Sequence, residues 1–156
     1  MKPARAVERW AADPLERFVG EAGARLVLLM SPSGQVFAQH GFTRAVDVMA
    51  AAALGAGIVA STGEMARMLD EQTFSALNHQ GERHGIFLSG FTLPRGPMLG
   101  LVVYGPDSSV GLVQLFFEEL AQDLERAAPA PVPHGPALAA DFEKDLNESL
   151  ATLFRT

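Results

Sequence analysis

Apolar positions along the chain keep two spacings, three-to-four and two, and each switch between them marks a new element. Leu15, Phe18 and Val19 share one helical face, with Val7, Trp10 and Ala11 at the same spacing upstream. Asp13-Pro14-Leu15-Glu16 reads as the helix start: Asp13 is placed to cap free amides, Pro14 fits the first helical position, and Glu16 can return the bond. An earlier turn is expected to join this helix at Pro14, and Gly23 to end it. The continuous apolar run Arg25-Leu-Val-Leu-Leu-Met30 then suits a central strand. Ser31-Pro32-Ser33-Gly34 is turn chemistry leading to a second extended run, Gln35 to His40, which completes a hairpin.

From Arg44 to Leu69 there is no proline and alanine is dense, which predicts one helix of about 25 residues. Met49 to Ala60 carries no charged side chain, so this helix needs cover on more than one side. Gly55 and Gly57 each cost about 1 kcal/mol inside a helix, which points to close backbone approach or a bend. Three extended runs follow, Phe74–Gln80, Gly85–Phe91 and Met98–Tyr104, joined by Gly81-Glu-Arg-His84 and by Thr92 to Pro97. They predict a three-stranded meander. Pro106-Asp107-Ser108-Ser109 opens a further helix, with Val110, Val113, Leu115, Phe116, Phe117, Leu120 and Leu124 on one broad side and acids on the other.

Ala127 to Pro136 is almost entirely alanine and proline, the composition of an extended linker. Beyond it, Asp141 can cap an amphipathic tail helix bearing Phe142, Leu146, Leu150, Leu153 and Phe154. The expected organisation is a body over residues 1–127, a linker over 128–139 and a tail helix over 140–156. The order α-β-β-α-β-β-β-α defines an α+β fold on a five-stranded antiparallel sheet, plus the tail.

At 156 residues and 48% hydrophobic, the chain can bury one core but falls short of two domains. Cysteine is absent, which removes thiol catalysis, thiolate metal sites and disulfides, and fits a reducing, cytoplasmic setting. A net charge of −6 with no Lys/Arg cluster argues against nucleic acid. No apolar run is expected to span a bilayer, and the first residues lack the apolar stretch of a secretory signal, so no membrane insertion is expected.

The element order and several strings resemble the roadblock / dynein light chain family, and within it the MglB-like branch, whose members partner the Ras-like GTPase MglA. The similarity runs from about Ala22 to Leu124. It rests on Gly23-Ala-Arg-Leu-Val-Leu-Leu, the small-residue long helix, His79-Gln-Gly-Glu-Arg83, Ser109-Val-Gly-Leu-Val-Gln-Leu115 and, more weakly, the tail ending Leu153-Phe154. The departures are the Pro14 interruption, the lack of an extra N-terminal strand and a longer Ala/Pro linker. The resemblance implies a homodimer joined through the third strands, with the two long helices side by side. Ala52, Gly55, Ala56 and Val59, with Phe74, Ala76 and Asn78, would then stand at the dimer interface. It also implies a non-catalytic regulator that receives one GTPase on the paired helices and promotes hydrolysis by the GTPase's own residues. An all-apolar helix independently asks for a second partner, and its own copy is the simplest.

Other chemistry is thinly represented. His40, His79, His84 and His134 include no pair at ligand spacing, so no metal or other cofactor is expected. The two Ser/Gly/Pro turns lack the lysine and glycine spacing of a phosphate loop, and Ser61 and Thr62 have no His–Asp arrangement around them. Arg83 invites an arginine-finger reading, but the family inserts none and a turn anchor is expected instead. Thr62, Glu64, Met65, Arg67 and Met68, where the long helix stops being uniformly apolar, are the candidate GTPase contacts. Against them stands a plain i, i+3 surface pair of Glu64 and Arg67. The tail residues Phe142, Leu146, Leu150, Leu153 and Phe154 are candidates for docking, either on the chain's own body or on a partner.

Three functions follow. The first is a homodimeric regulator of an MglA-like GTPase in bacterial polarity or motility, binding the GTP form and stimulating hydrolysis. The second is a roadblock scaffold that recruits proteins without altering GTPase kinetics. The third is a PAS- or GAF-like sensor, disfavoured because the alanine- and glycine-rich helix has nothing to orient a ligand.

Overall fold

The computed structural model describes residues 8–41, 47–72, 76–130 and 136–153, the last segment with side chains at Lys144 and from Leu146 onward. A single 3-10 turn, Arg9–Ala11, runs directly into helix α1, Ala12–Ala22. The earlier turn therefore joins the helix, but Asp13 does not cap it. Ala11 stands at the N-cap and makes no side-chain bond, so Asp13 and Pro14 lie inside the first turn, where proline forfeits no helical hydrogen bond. Gly23 ends α1 in the left-handed conformation (φ 65°), its amide bonding to the Val19 carbonyl.

Strands β1 (Ala24–Met30) and β2 (Val36–Gly41) form the first hairpin. Its turn closes with Gly34 N–H donating to the Ser31 carbonyl at 2.9 Å and Gln35 N–H to Ser31 Oγ at 3.2 Å. Helix α2 spans Val48–Met68, capped by Asp47, whose Oδ1 accepts from Ala50 N–H at 3.1 Å. The residues from Phe42 to Val46, which the long apolar pattern had included from Arg44, lie outside the described residues. Strands β3 (Ala76–Gln80), β4 (Gly85–Leu93) and β5 (Gly96–Tyr104) complete the sheet. The β4–β5 turn is shorter than Thr92 to Pro97: Leu93 already pairs with Gly96, leaving Pro94 and Arg95 at the tip, and Gly96 (φ 128°) takes a backbone that L side chains rarely adopt.

The sheet order is β2-β1-β5-β4-β3, all antiparallel, with β2 and β3 at the edges. Helix α3, Val110–Ala127, starts at Ser109, whose hydroxyl accepts from Leu112 N–H at 3.3 Å. Helix α4 spans Pro136–Leu153, beginning five residues before Asp141. Proline is well placed to open a helix, and Ala137 to Ala140 are strong helix formers.

Alternation along the strands supplies two cores. On one face Val27, Leu29, Phe87, Val102 and Tyr104 pack with Leu15 and Phe18 of α1 and Val113, Phe117, Leu120 and Leu124 of α3. Phe117 sits at its centre, edge-on to Phe18, Phe87 and Phe91 at ring distances of 5.5 to 6.1 Å. On the other face Leu26, Leu28, Met30, Leu88, Leu99 and Leu101 pack under Ala52 and Ala56 of α2 alone. Among the described residues one face thus carries two helices and the other a single helix of small residues, and these leave most of α2 without cover.

Candidate interaction face

The inner stripe of α2 is Ala52, Gly55, Ala56 and Ala66. A Cβ at Gly55 would stand 2.9 Å from Leu101 Cδ1 and 3.4 Å from Leu88 Cδ2, so the missing side chain is what lets the helix settle on the sheet. This corrects the expectation that Ala52, Gly55 and Ala56 form a dimer interface. They are buried against their own sheet, and their small size serves contact within the chain. Val59 is half-buried and packs against the same cluster.

The outer stripe is different. Met49 is 81% exposed, Leu54 69%, Met65 56% and Met68 85%, and Ile58 lies among them. Gly57 faces outward, with nothing among the described residues within 4 Å of where its Cβ would stand, so none of their contacts accounts for it. Ser61 Oγ donates to the Gly57 carbonyl at 2.8 Å and Thr62 Oγ1 to the Ile58 carbonyl at 3.0 Å. Both hydroxyls are turned back onto the helix, and the outer face stays apolar through its middle. By length and mean hydropathy α2 also meets the measure of a bilayer span, contrary to the expectation that no run would. Its inner stripe, however, is packed into a sheet.

At the C-terminal end of α2 the structure gathers the charged candidates. Glu64 and Arg67 form an ion pair, both well exposed, beside the exposed Met65 and Met68, with Thr62 half-buried alongside. At the β3 edge Asn78 is exposed and Ala76 half-buried, while Phe74 lies outside the described residues. The Tyr104 hydroxyl lies 2.7 Å from Asn78 Oδ1 and 3.0 Å from Gln80 Oε1, tying this edge strand to the centre of the sheet. In the tail, Leu146, Leu150 and Leu153 are exposed; the side chains of Phe142 and Phe154 lie outside the description. Arg83 is exposed in the β3–β4 turn, which closes instead through Gly81 N–H to the His84 carbonyl. The cation that reaches this turn is Arg25, whose Nη1 stands 2.9 Å from His84 Nε2.

A second feature has no local sequence signal. Arg95 at the β4–β5 tip makes a two-pronged bond to Glu8, both contacts 2.8 Å, and Trp10 Nε1 donates to the same carboxylate at 2.6 Å. The Arg95 hydrogen bond holds the Glu8 carboxyl below its usual range against the opposing effect of burial, with Trp10 assisting. Trp10 stacks on Phe37 at 6.1 Å, and these residues border a cleft of about 300 Å³ with Leu93 and Met98.

A three-layer body with a five-stranded antiparallel sheet between one helix and two is the architecture of a roadblock-type domain. The Roadblock/LC7 domain family profile matches residues 11–91, and the chain belongs to that family. Its structure is similar to the gliding protein MglB of Thermus thermophilus, at 28% identity and a TM-score of 0.69, covering 82% of this chain and 98% of that one. An MglB structure described as having a tetrameric arrangement is 27% identical, with a TM-score of 0.69, covering 82% of this chain and 97% of that one. Myxococcus xanthus MglB shares the fold at 24% identity, with a TM-score of 0.68 over 76% of this chain and 94% of that one. No curated protein matches by sequence.

Proposed function

We propose that this chain is a non-catalytic, cytoplasmic regulator of a small Ras-like GTPase of the MglA kind, acting as a homodimer that binds the GTP form and stimulates its hydrolysis in bacterial polarity or gliding. The observation that carries this reading is the outer face of α2: a long apolar stripe with a glycine at its middle and a methionine-flanked ion pair at its end. Such a stripe exposed on a single chain marks an interaction surface, and methionines suit an adaptable one. Gly57 would admit a second helix at close range, and the open β3 edge would take a second β3, extending the sheet across two chains. The likeness to MglB structures, one described as a gliding protein and one as tetrameric, supports the partner class and the assembly.

Regulation requires that binding favour one GTPase conformation, since equal affinity for both shifts nothing. In this reading Thr62, Glu64, Met65, Arg67 and Met68 meet the GTPase. Exchanging the two charges, Glu64→Arg with Arg67→Glu, keeps the pair and should change chain stability by no more than about 0.5 kcal/mol. GTPase binding should weaken at least about tenfold, a loss of roughly 1.4 kcal/mol. Unchanged binding to an intact dimer removes these residues from the interface.

A further inference from the structure

Sulfur is distributed unevenly over this chain. It has no cysteine and six methionines, so with no thiol to take a mild oxidant first the thioethers stand next in line. Three of the six lie on α2 with exposed side chains: Met49 near its start, and Met65 and Met68 in its last turn. Met30 is the opposite case. It is 0% exposed beneath α2, its Cε 4.0 Å from where a Gly55 Cβ would stand. Met98 is half-buried in the cleft that Trp10 borders.

Met65 and Met68 are three residues apart, which puts them on the same side of the helix, one turn after the other. Met65 also stands seven residues after Ile58 and eleven after Leu54, so it continues the exposed apolar stripe, which Leu69 extends. The stripe is hydrocarbon through its middle and becomes thioether where the Glu64–Arg67 ion pair joins it. Leucine would fill a similar volume with a comparable helix propensity. What methionine adds is an adaptable side chain and a sulfur that can be oxidised and restored.

We propose that Met65 and Met68 are sites of reversible oxidation by hydroperoxides, and that their sulfoxides switch off the interaction face at this end of α2. The sulfur gives up two electrons as the peroxide O–O bond breaks and an S–O bond forms; an organic hydroperoxide leaves as its alcohol, and hydrogen peroxide as water. A methionine sulfoxide reductase reverses the step with two thiols, which leave as a disulfide together with one water. Oxidation replaces a soft apolar surface with a strong hydrogen-bond acceptor. A partner that buried the thioether must then leave that oxygen unpaired or come away. The switch rests on the proposal that Met65 and Met68 meet the GTPase. Met49 supplies the contrast, because it is as open to an oxidant but lies about 24 Å along the helix from Met65.

The full chain is treated with hydrogen peroxide, freed of it, mapped by peptide mass spectrometry and titrated against the MglA-like GTPase in its GTP form. Met49, Met65 and Met68 should each gain one oxygen before Met30 and Met98 do, and an unmodified Met30 marks a chain that has stayed folded. Binding should weaken at least about tenfold and return after incubation with a methionine sulfoxide reductase. In Met49→Leu the loss should persist. In a chain carrying both Met65→Leu and Met68→Leu, treated and untreated samples should agree within about twofold, whatever affinity that variant has. An untreated wild-type chain that does not bind overturns the GTPase reading and the switch with it. Three results overturn the switch alone: Met65 and Met68 oxidising no faster than Met30, affinity kept after both are oxidised, or a loss that the double leucine variant does not remove.

Discussion

Gly57→Leu separates the two sides of α2 by one substitution. Glycine is less favourable than alanine by about 1 kcal/mol inside a helix, and leucine is close to alanine, so the change should stabilise an isolated chain by roughly 0.5–1 kcal/mol. No contact among the described residues opposes this, because they leave the Cβ position at Gly57 open to 4 Å. The same substitution at Gly55 starts from a Cβ 2.9 Å from Leu101 Cδ1 and should instead cost about 1–3 kcal/mol through overpacking. If a second helix lies against the outer face, however, the leucine at position 57 occupies the space that its backbone needs. Urea unfolding at two chain concentrations tenfold apart reads both effects. A dimer that unfolds to separate chains gains about 1.4 kcal/mol per dimer for each tenfold rise in concentration. The wild-type chain should show that gain; Gly57→Leu should lose it, while being more stable than wild type when both are dilute. An unchanged concentration dependence in Gly57→Leu would refute the assignment of this face to an interface.

Arg95→Ala should alter the acid side of the stability curve. The Glu8 carboxyl is held below its usual range, so its contribution is present above the unfolded value and is lost as pH falls through the lower folded value. The variant should be less stable at neutral pH and lose less on acidification, the effect being modest because the pair is partly exposed; parallel pH profiles would contradict it. Tyr104→Phe keeps the ring but removes the hydroxyl beside Asn78 and Gln80, and should cost about 0.5–1.5 kcal/mol with amide exchange quickening first in β3. Exchange unchanged in β3 would mean that the hydroxyl does not anchor the edge.

What the sequence revealed follows the contrast in its patterns. The first hairpin, the helix start at Pro106 to Ser109 and the glycine stop at Gly23 lie in segments where apolar runs meet turn residues, and they came out within a residue or two. In α2 there is no contrast to read. Alanine and glycine on all sides give no inner face, so Gly55 and Gly57 looked alike, although one is buried under the sheet's leucines and the other is open. Helix α3 failed in the opposite way. Its apolar side was drawn too broad, because Val110 and Leu115 share the hydrophobic character of Val113 and Phe117 but not their burial. The pairing of Glu8 with Arg95 joins residues 87 apart and left no local trace.

The most direct measurement is single-turnover GTP hydrolysis by an MglA-like GTPase from the same cell, with the wild-type chain and with Gly57→Leu. Acceleration by the wild-type chain that is lost in a folded Gly57→Leu variant is the predicted result. A wild-type chain that leaves hydrolysis unchanged, or a Gly57→Leu variant that accelerates it equally, would contradict regulation through the outer face of α2.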